Sequence, residues 1–533
     1  MPSGIEAPGS SSVMHSDEQT SASEIRRNAS APPSLNSPFS ILNSVQRYAL
    51  LVLALTAIKV VLAIVLPISG DEAEYWDCSR HLDWSYLDHT PLLFWSMIPF
   101  RAILGETSLA VRLPSILSGL VIAFALPPLV RRLGGPDNGA ERAWLALNAM
   151  PIFFVGSFYS WTDSPMLAAF VVATLGAVAV ARGETRGWWI FGAAIGIGFL
   201  AKITVVLVLA ALVPLVFFPA ARASLRTRHP WLAALLAFAL TTPFWIWGAR
   251  HDWVNVTFQL QERHNRGGAL DPPGALEFLA TNMLLATPFL FVAGLVALRL
   301  LWKRCDAAKP LVVAAVTPLV LFTLVALGNR PGAHWAAPFL LLGAIATGVV
   351  DFRGRRALVM ASGALCAVVT IAVSTIALAP ERLLAVDWSY SRSPVRVSPK
   401  YLVFAVGNDE IAKEAKRRLA PGEMMASENY THVHLLSFLT GGKMPTRLAW
   451  MKKRAVSGLP SLYWHRPSEL RGNDFLFITD KSGFDPELAA IFESVIEEVP
   501  IEVRCGGEVV RSVRVLRCRN LLEPRGTFTL LED

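Results

Sequence analysis

The chain has 533 residues, of which 53% are hydrophobic and only 17% charged. That balance is too apolar for a soluble domain of this length and points to a polytopic membrane protein. The formal net charge of +8 comes largely from basic loops between apolar runs, with a basic C-terminal region adding to it, and gives no reason to expect a nucleic-acid partner.

Residues 1–46 are rich in Ser, Pro and Ala and lack an apolar period, the composition of a disordered cytoplasmic tail. The first apolar run starts near residue 48 and is long enough to span, so it reads as an uncleaved anchor and not as a signal peptide. On a template of about 20 apolar residues, about eleven spans follow. They lie near 48–67, 112–130, 143–158, 165–181, 188–201, 203–219, 231–249, 277–301, 311–327, 335–350 and 357–379. Residues 47–379 are thus expected to form an α-helical transmembrane domain, with a chemically dense loop at 68–111.

Basic residues cluster on alternate loops: Arg131, Arg132 and Arg142, then Arg182 and Arg186, then Arg222, Arg226 and Arg228, then Lys303, Arg304 and Lys309, then Arg353, Arg355 and Arg356. Such loops stay in the cytoplasm. The N-terminus is therefore expected inside, and the loops at 68–111, 159–164, 250–276 and 328–334 outside. Residues 380–533 fall on the same outer side. They alternate strand-like pieces ("RVSPKYLVFAVG", "NDFLFITD", "IEVRCGGEVVRSVRVLRCRN") with helix-like ones ("NDEIAKEAKRRLA", "DPELAAIFESVIEEV"), which predicts a periplasmic α/β domain. Cys505 and Cys518 flank a hairpin-like "CGGEVV"; a disulfide and two free core thiols both fit.

Chemistry concentrates in "ISGDEAEYWDCSRHLDWSYLDHTPLLFW", residues 68–95. If "DEAEY" opens a helix, Asp71 and Glu74 are three apart and share a face. Taken alone, the triplet Asp71, Glu72 and Glu74 reads as a solvated acidic cap. The aromatics Trp76, Trp84, Tyr86 and Trp95 suit a membrane interface, but Asp88 and His89 beside them are harder to explain as packing. Further along, Asp163 in "YSWTDSPML" and Lys59 inside the first span are costly near lipid and should face the bundle. Lys202, in "FLAKITVVL", fits a cation snorkelling to headgroups as well as one binding a ligand. The Gly-flanked "QERHNRGG" carries His264 and Arg266 on a gating type of loop, and "GNRPGAHWAAPFLL" carries Arg330 and His334.

The stretch "GDEAEYWDCSRHLDWSYLDHTPLLFW", followed by "ETSLAVRLPSIL", resembles the first outer loop of the C-class membrane glycosyltransferases. That superfamily includes the protein O-mannosyltransferases, the lipid A aminoarabinose transferases and bacterial enzymes that decorate lipopolysaccharide. The resemblance covers roughly residues 48–350 and turns on an acidic "DE" motif after the first span and an "(E/D)-(K/H)-P-P-L" motif later in the loop. It implies Asp71 as catalytic base and Asp163 as a second acid. It places Asp88 and His89 beside the donor, Lys202, His264 and Arg266 at the donor phosphate, and Arg330 and His334 nearby. Glu72 of the "DE" motif is a further candidate. Two positions depart from the pattern: Glu74 stands where the aminoarabinose transferases have Arg, and Thr90 replaces a Pro, which would loosen the turn after His89.

The chemistry that this implies is physically coherent. No Gly-rich nucleotide-binding loop is evident in the sequence, and an outer-facing enzyme has little access to nucleotide sugars, so a polyprenyl-phosphate sugar is the natural donor. A carboxylate would take the acceptor's proton, and fixed cations would stabilise the departing phosphate. The acceptor is expected to be lipopolysaccharide or lipid A, a polysaccharide or a protein, with lipid around the bundle and no nucleic acid as partner. Asp71, Asp88 and His264 also form a candidate set for a divalent metal ion; no other cofactor is expected. The competing class is a transporter or flippase without glycosyl transfer. Against it, the charges gather at one membrane face, and the sequence shows none of the repeats common in transporters. A non-catalytic assembly subunit is a third reading.

Overall fold

The computed structural model describes residues 43–259, 271–381, 405–451, 458–483, 485–505 and 507–533. Residues 1–42 of the predicted tail, the "QERHNRGG" loop with His264 and Arg266, and most of "RVSPKYLVFAVG" lie outside the described residues, whereas the end of that tail, residues 44–46, already belongs to the first helix.

The apolar part is helical throughout. Helix α1 (Ser44–Val65) starts at a capping box in which Asn43 and Gln46 satisfy each other's backbone N–H groups. Two further helices, α2 (Gly70–Cys78) and α3 (Leu92–Leu104), occupy the stretch read as a loop. Helix α4 (Ser108–Arg132) follows, then α5 (Gly139–Asn148) and α6 (Pro151–Gly156), α7 (Asp163–Ala181) and α8 (Arg186–Ala201). A 3₁₀ helix runs from Ile203 to Phe217. Next come α9 (Arg228–Leu240), α10 (Thr242–Arg250), α11 (Pro272–Ala286), α12 (Pro288–Arg304), α13 (Lys309–Val325), α14 (Ala337–Val349) and α15 (Arg355–Leu378).

Among the described residues, five helices are long and apolar enough to cross a membrane, or up to seven if each bent pair counts as one span. Several sequence-predicted spans are broken or short. The run 277–301 is two helices bent by 97° at Thr287, a non-glycine residue with φ of +67°. The run 143–158 is cut where Pro151 opens α6, because proline cannot donate to a continuing helix. Lys59 does face the bundle: its Nζ donates to Asn148 Oδ1 at 2.6 Å and sits over the Trp144, Phe153 and Phe154 rings. The basic loop residues pair at one end of the bundle, Arg132 with Glu184 and Arg142 with Asp351.

The C-terminal region folds around a five-stranded mixed sheet of order β2-β1-β3-β5-β4. Its strands are β1 (Met424–Ser427), β2 (Thr446–Leu448), β3 (Phe475–Thr479), β4 (Phe492–Cys505) and β5 (Glu508–Leu521). Helices α16 (Asn408–Arg418), α17 (Tyr430–Leu439) and α18 (Asp485–Ile491) accompany it. "DPELAAIFESVIEEV" is only half helical, because α18 stops at Ile491 and "FESVIEEV" enters β4, where it pairs antiparallel with β5. The hairpin at "CGGEVV" is real, but its register rules out a disulfide. Cys505 lies opposite Glu508 at the turn while Cys518 lies opposite Val495 and Phe475, ten residues down β5, about 33 Å at ~3.3 Å per residue. Both thiols are free.

Candidate active site

Helix α2 is set by a capping box that the sequence spells as Ser-x-x-Glu. Ser69 Oγ accepts from the Glu72 N–H, and Glu72 Oε2 accepts from the Ser69 N–H at 3.1 Å. Glu72 is then locked from the other side. Arg112 of α4 donates Nε to Oε1 and Nη2 to Oε2, each at 2.7 Å, and the Ser160 N–H donates to Oε1 at 3.0 Å. The remaining Arg112 donors go to the carbonyls of Ala63, Leu66 and Pro67. Both side chains are buried, so this pair clamps the end of α1 to the start of α2. Glu72 is thereby part of the scaffold, and the solvated-cap reading of the triplet fails: Glu72 and Glu74 are both enclosed.

Asp71 and Glu74 do share a face, and that face lines a cavity of about 430 Å³. Asp71 is exposed to it, and Asp71 Oδ1 accepts a 2.7 Å hydrogen bond from the Tyr430 hydroxyl of the C-terminal region. Burial beside Asp71 raises the Tyr430 pKa well above the usual phenol value, so Tyr430 stays a donor. Glu74 Oε1 accepts from the Gly458 N–H at 3.0 Å. Burial first, then the charges of Asp88 and Asp71, push the Glu74 carboxyl well above its ordinary pKa, against the pull of the Gly458 N–H. Two glycines permit this docking. A Cβ on Gly70 would meet Thr431 at 2.7 Å; Gly458 has φ of +79°, and a Cβ there would meet Tyr430 at 2.5 Å.

On the opposite wall, Asp163 opens α7 and Lys202 sits in extended backbone between α8 and the 3₁₀ helix. Lys202 Nζ donates to Asp163 Oδ2 at 2.7 Å, and His334 Nε2 lies 3.6 Å from the same oxygen and 3.5 Å from Nζ. Asp163 Oδ1 is buried without a partner among the described residues. Asp88 and His89 also line the cavity, with His89 Nε2 3.8 Å from Asp88 Oδ2 and its ring edge-on to Tyr75. Despite Thr90, the turn before it is closed by the Tyr86 N–H donating to the His89 carbonyl at 3.1 Å. Arg330 is exposed and does not line the cavity.

The donor set for a metal differs from the predicted one. His264 lies outside the described residues, and Asp71 stands apart; among the described residues the group able to hold an ion is Glu74, Asp88 and His89, with ligand atoms within 4.8 Å of one another. Two carboxylates and an imidazole suit zinc or manganese, and a divalent cation would offset the burial and the neighbouring acids that together raise Glu74. Sequence reasoning missed three contributors. Arg112 was visible as a lone cation in an apolar run, and Glu72's anchoring role in the Ser-x-x-Glu spacing. Tyr430 carried no local signal, because only the docking of α17 on α2 brings it to Asp71.

Fold and site define a helical membrane protein with an acid- and cation-lined cavity covered by a C-terminal α/β region. Residues 88–247 match the family model of dolichyl-phosphate-mannose-protein mannosyltransferases. The chain is 26% identical over 282 residues to the lipid A galacturonosyltransferase RgtD of Rhizobium johnstonii, covering 52% of this chain and 59% of that protein. It is 30% identical over 230 residues to the undecaprenyl phosphate-α-4-amino-4-deoxy-L-arabinose arabinosyl transferase 1 of Sodalis glossinidius, covering 37% of this chain and 40% of that one. The matches thus span about three-fifths or less of these relatives. The fold is similar to that of ArnT from Cupriavidus metallidurans bound to undecaprenyl phosphate, with TM-score 0.60 at 17% identity over 88% of this chain and 98% of that one. These likenesses agree with the resemblance of residues 48–350 to the C-class membrane glycosyltransferases.

Proposed function

We propose that the protein transfers a sugar from a polyprenyl-phosphate donor to lipid A or a related envelope glycolipid at the outer face of a bacterial inner membrane. The observation that carries this reading is the cavity itself: an exposed carboxylate, Asp71, faces a wall bearing Lys202 and His334, with Asp88 and His89 between. Both curated relatives are named as sugar transferases, one acting on lipid A and one using an undecaprenyl-phosphate sugar.

In this mechanism the acceptor hydroxyl attacks the anomeric carbon of the donor sugar as the bond from that carbon to the phosphate oxygen breaks. The hydroxyl proton passes to the Asp71 carboxylate, held in place by Tyr430, and the polyprenyl phosphate leaves as an anion. Lys202, shared with Asp163, answers the charge that develops on that phosphate, with His89 and His334 beside it. Arg266 and His264 are further donor-phosphate candidates, and Arg330 a peripheral one. A divalent ion held by Glu74, Asp88 and His89 would neutralise charge near the donor phosphate. The orientation proposed has the N-terminus in the cytoplasm, about eleven membrane segments and residues 380–533 in the periplasm. The docking of α17 on α2 puts the C-terminal region at the cavity's end of the bundle, away from the Arg132 and Arg142 pairs.

The test is transfer from radiolabelled polyprenyl-phosphate sugars to lipid A in membranes reconstituted with the purified chain. Label appearing in the glycolipid is the expected result. Donor crossing the bilayer with no product formed would instead mark a flippase.

A further inference from the structure

Helix α17 lies along α2 and touches it through polar groups at both ends of α2. Near the start, the Tyr430 hydroxyl donates to Asp71. Near the far end, His434 Nδ1, one turn further along α17, stands 2.9 Å from Asp77 Oδ2. Asp77 is six residues after Asp71, about 9 Å along the helix at ~1.5 Å per residue. The two contacts differ in setting: the first is exposed to the cavity, whereas Asp77 and His434 are 3% and 1% exposed. One exposed hydrogen bond does little to hold two elements together. Burial alone would raise the Asp77 carboxyl, but the hydrogen bond from His434 and the charges of His434, His81 and Arg80 outweigh it and hold the group below the usual carboxylate range. An ionised carboxylate only accepts, so His434 Nδ1 is the donor. Asp77 Oδ1 also accepts from Arg80 Nη1 at 3.2 Å, and Arg80 Nη2 reaches the Gly442 carbonyl, just beyond α17, at 3.2 Å.

The seam around these contacts is apolar. Leu435, Phe438 and Leu439 of α17 pack with Ala73 and Trp76 of α2, and the Phe438 and Trp76 rings meet edge to face at 5.2 Å. Apolar contact holds the helices together but has no direction, so it tolerates sliding and rotation. A hydrogen bond within a buried seam has direction and fixes the register. His434 gives up stability to supply one: its Nε2 is buried with no partner among the described residues. An aliphatic side chain would avoid that loss. The imidazole is therefore explained by the contact its Nδ1 makes with Asp77.

We propose that Asp77 and His434 are a positioning pair for the transfer reaction, fixing the register of α17 on α2 so that the Tyr430 hydroxyl stays on Asp71. Neither residue lines the main cavity, so both act through that contact. The inference rests on the glycosyl-transfer reading and adds two residues to its machinery. His434→Leu should lower kcat for transfer by about 10-fold, as much as Tyr430→Phe, with the donor KM unchanged. His434→Asn, whose amide N–H reaches about as far as Nδ1, should recover most of the loss. Tyr430→Phe combined with His434→Leu should be no slower than either alone, because both remove the same contact. Losses that multiply in that double variant would overturn the proposal. Stability separates positioning from packing. His434→Leu should melt below wild type, since Asp77 loses its buried partner. Adding Asp77→Leu should return the melting temperature towards wild type, as two apolar side chains replace the polar pair, while transfer stays low. Transfer that recovers along with stability would also overturn the proposal. A readout independent of sugar transfer keeps the two readings apart. With fluorotyrosine in place of Tyr430, the fluorine NMR signal should move on Asp71→Asn in the wild-type background and lose that response in His434→Leu. A response that survives removes the positioning pair alone, whereas a lost response in a chain that transfers sugar from no donor removes the transferase reading.

Discussion

Glu72 and Arg112 meet through two 2.7 Å contacts with side chains 0% and 2% exposed, and every polar atom of both finds a partner. Asp163 and Lys202 meet through one 2.7 Å contact on the wall of the cavity, with Asp163 Oδ1 unpartnered among the described residues and Lys202 17% exposed. A closed pair can only hold structure. An open pair keeps charge and hydrogen-bonding capacity for something that enters, so the satisfaction of a buried pair, more than its presence, separates scaffold from site.

The sharpest way to break this contrast is at the closed pair. Arg112→Leu leaves the Glu72 charge buried and unpaired, a loss of about 3–5 kcal/mol. Thermal unfolding in detergent should show a large drop, and a smaller one in Lys202→Ala, where His334 still stands 3.6 Å from the Asp163 carboxylate. In turn, Lys202→Ala should lower transfer at limiting donor by about 10²-fold, the scale for removing one charge-stabilising donor. Normal donor use in that variant would hand the phosphate to other cations.

Tyr430→Phe removes the hydroxyl that holds Asp71 and should slow transfer by about 10-fold, in line with the loss of one hydrogen bond to a charged group. Stability should change little, since the ring remains. The smallest effect is expected at Glu74. Its folded pKa is raised, so its contribution to stability is complete below the unfolded pKa of about 4.3 and is lost as pH rises through the higher folded value. In metal-free buffer the melting temperature of wild type should fall with rising pH more steeply than that of Glu74→Gln. If Glu74, Asp88 and His89 hold a divalent ion, a chelator should create that slope and added zinc should abolish it.

Legibility from sequence followed the range of the interactions. The membrane helices, Lys59 facing inward, and Asp71 and Glu74 sharing a face were readable because composition and a spacing of three are local properties. The β4 strand was misread because "FESVIEEV" continues a helical charge pattern and becomes a strand only by pairing with β5. The burial of Glu74 was hidden for a similar reason. Its covering comes from Gly458, several hundred residues away in sequence, and Tyr430 reaches Asp71 by the same long-range docking. The metal-capable set moved from Asp71 to Glu74 once the fold showed which carboxylate turns toward Asp88 and His89.

The central claim is that Asp71 is the base of a sugar transfer in the cavity it shares with Lys202. Asn in its place keeps the size and the hydrogen bond from Tyr430 but cannot take a proton. The direct measurement is turnover of Asp71→Asn in reconstituted membranes with a radiolabelled polyprenyl-phosphate sugar, alongside its melting temperature. General-base help is worth about 10²–10⁴-fold, so transfer should fall by at least about 10²-fold while the melting temperature stays near wild type. Normal turnover in Asp71→Asn would contradict the account and leave Asp163 as the base to test.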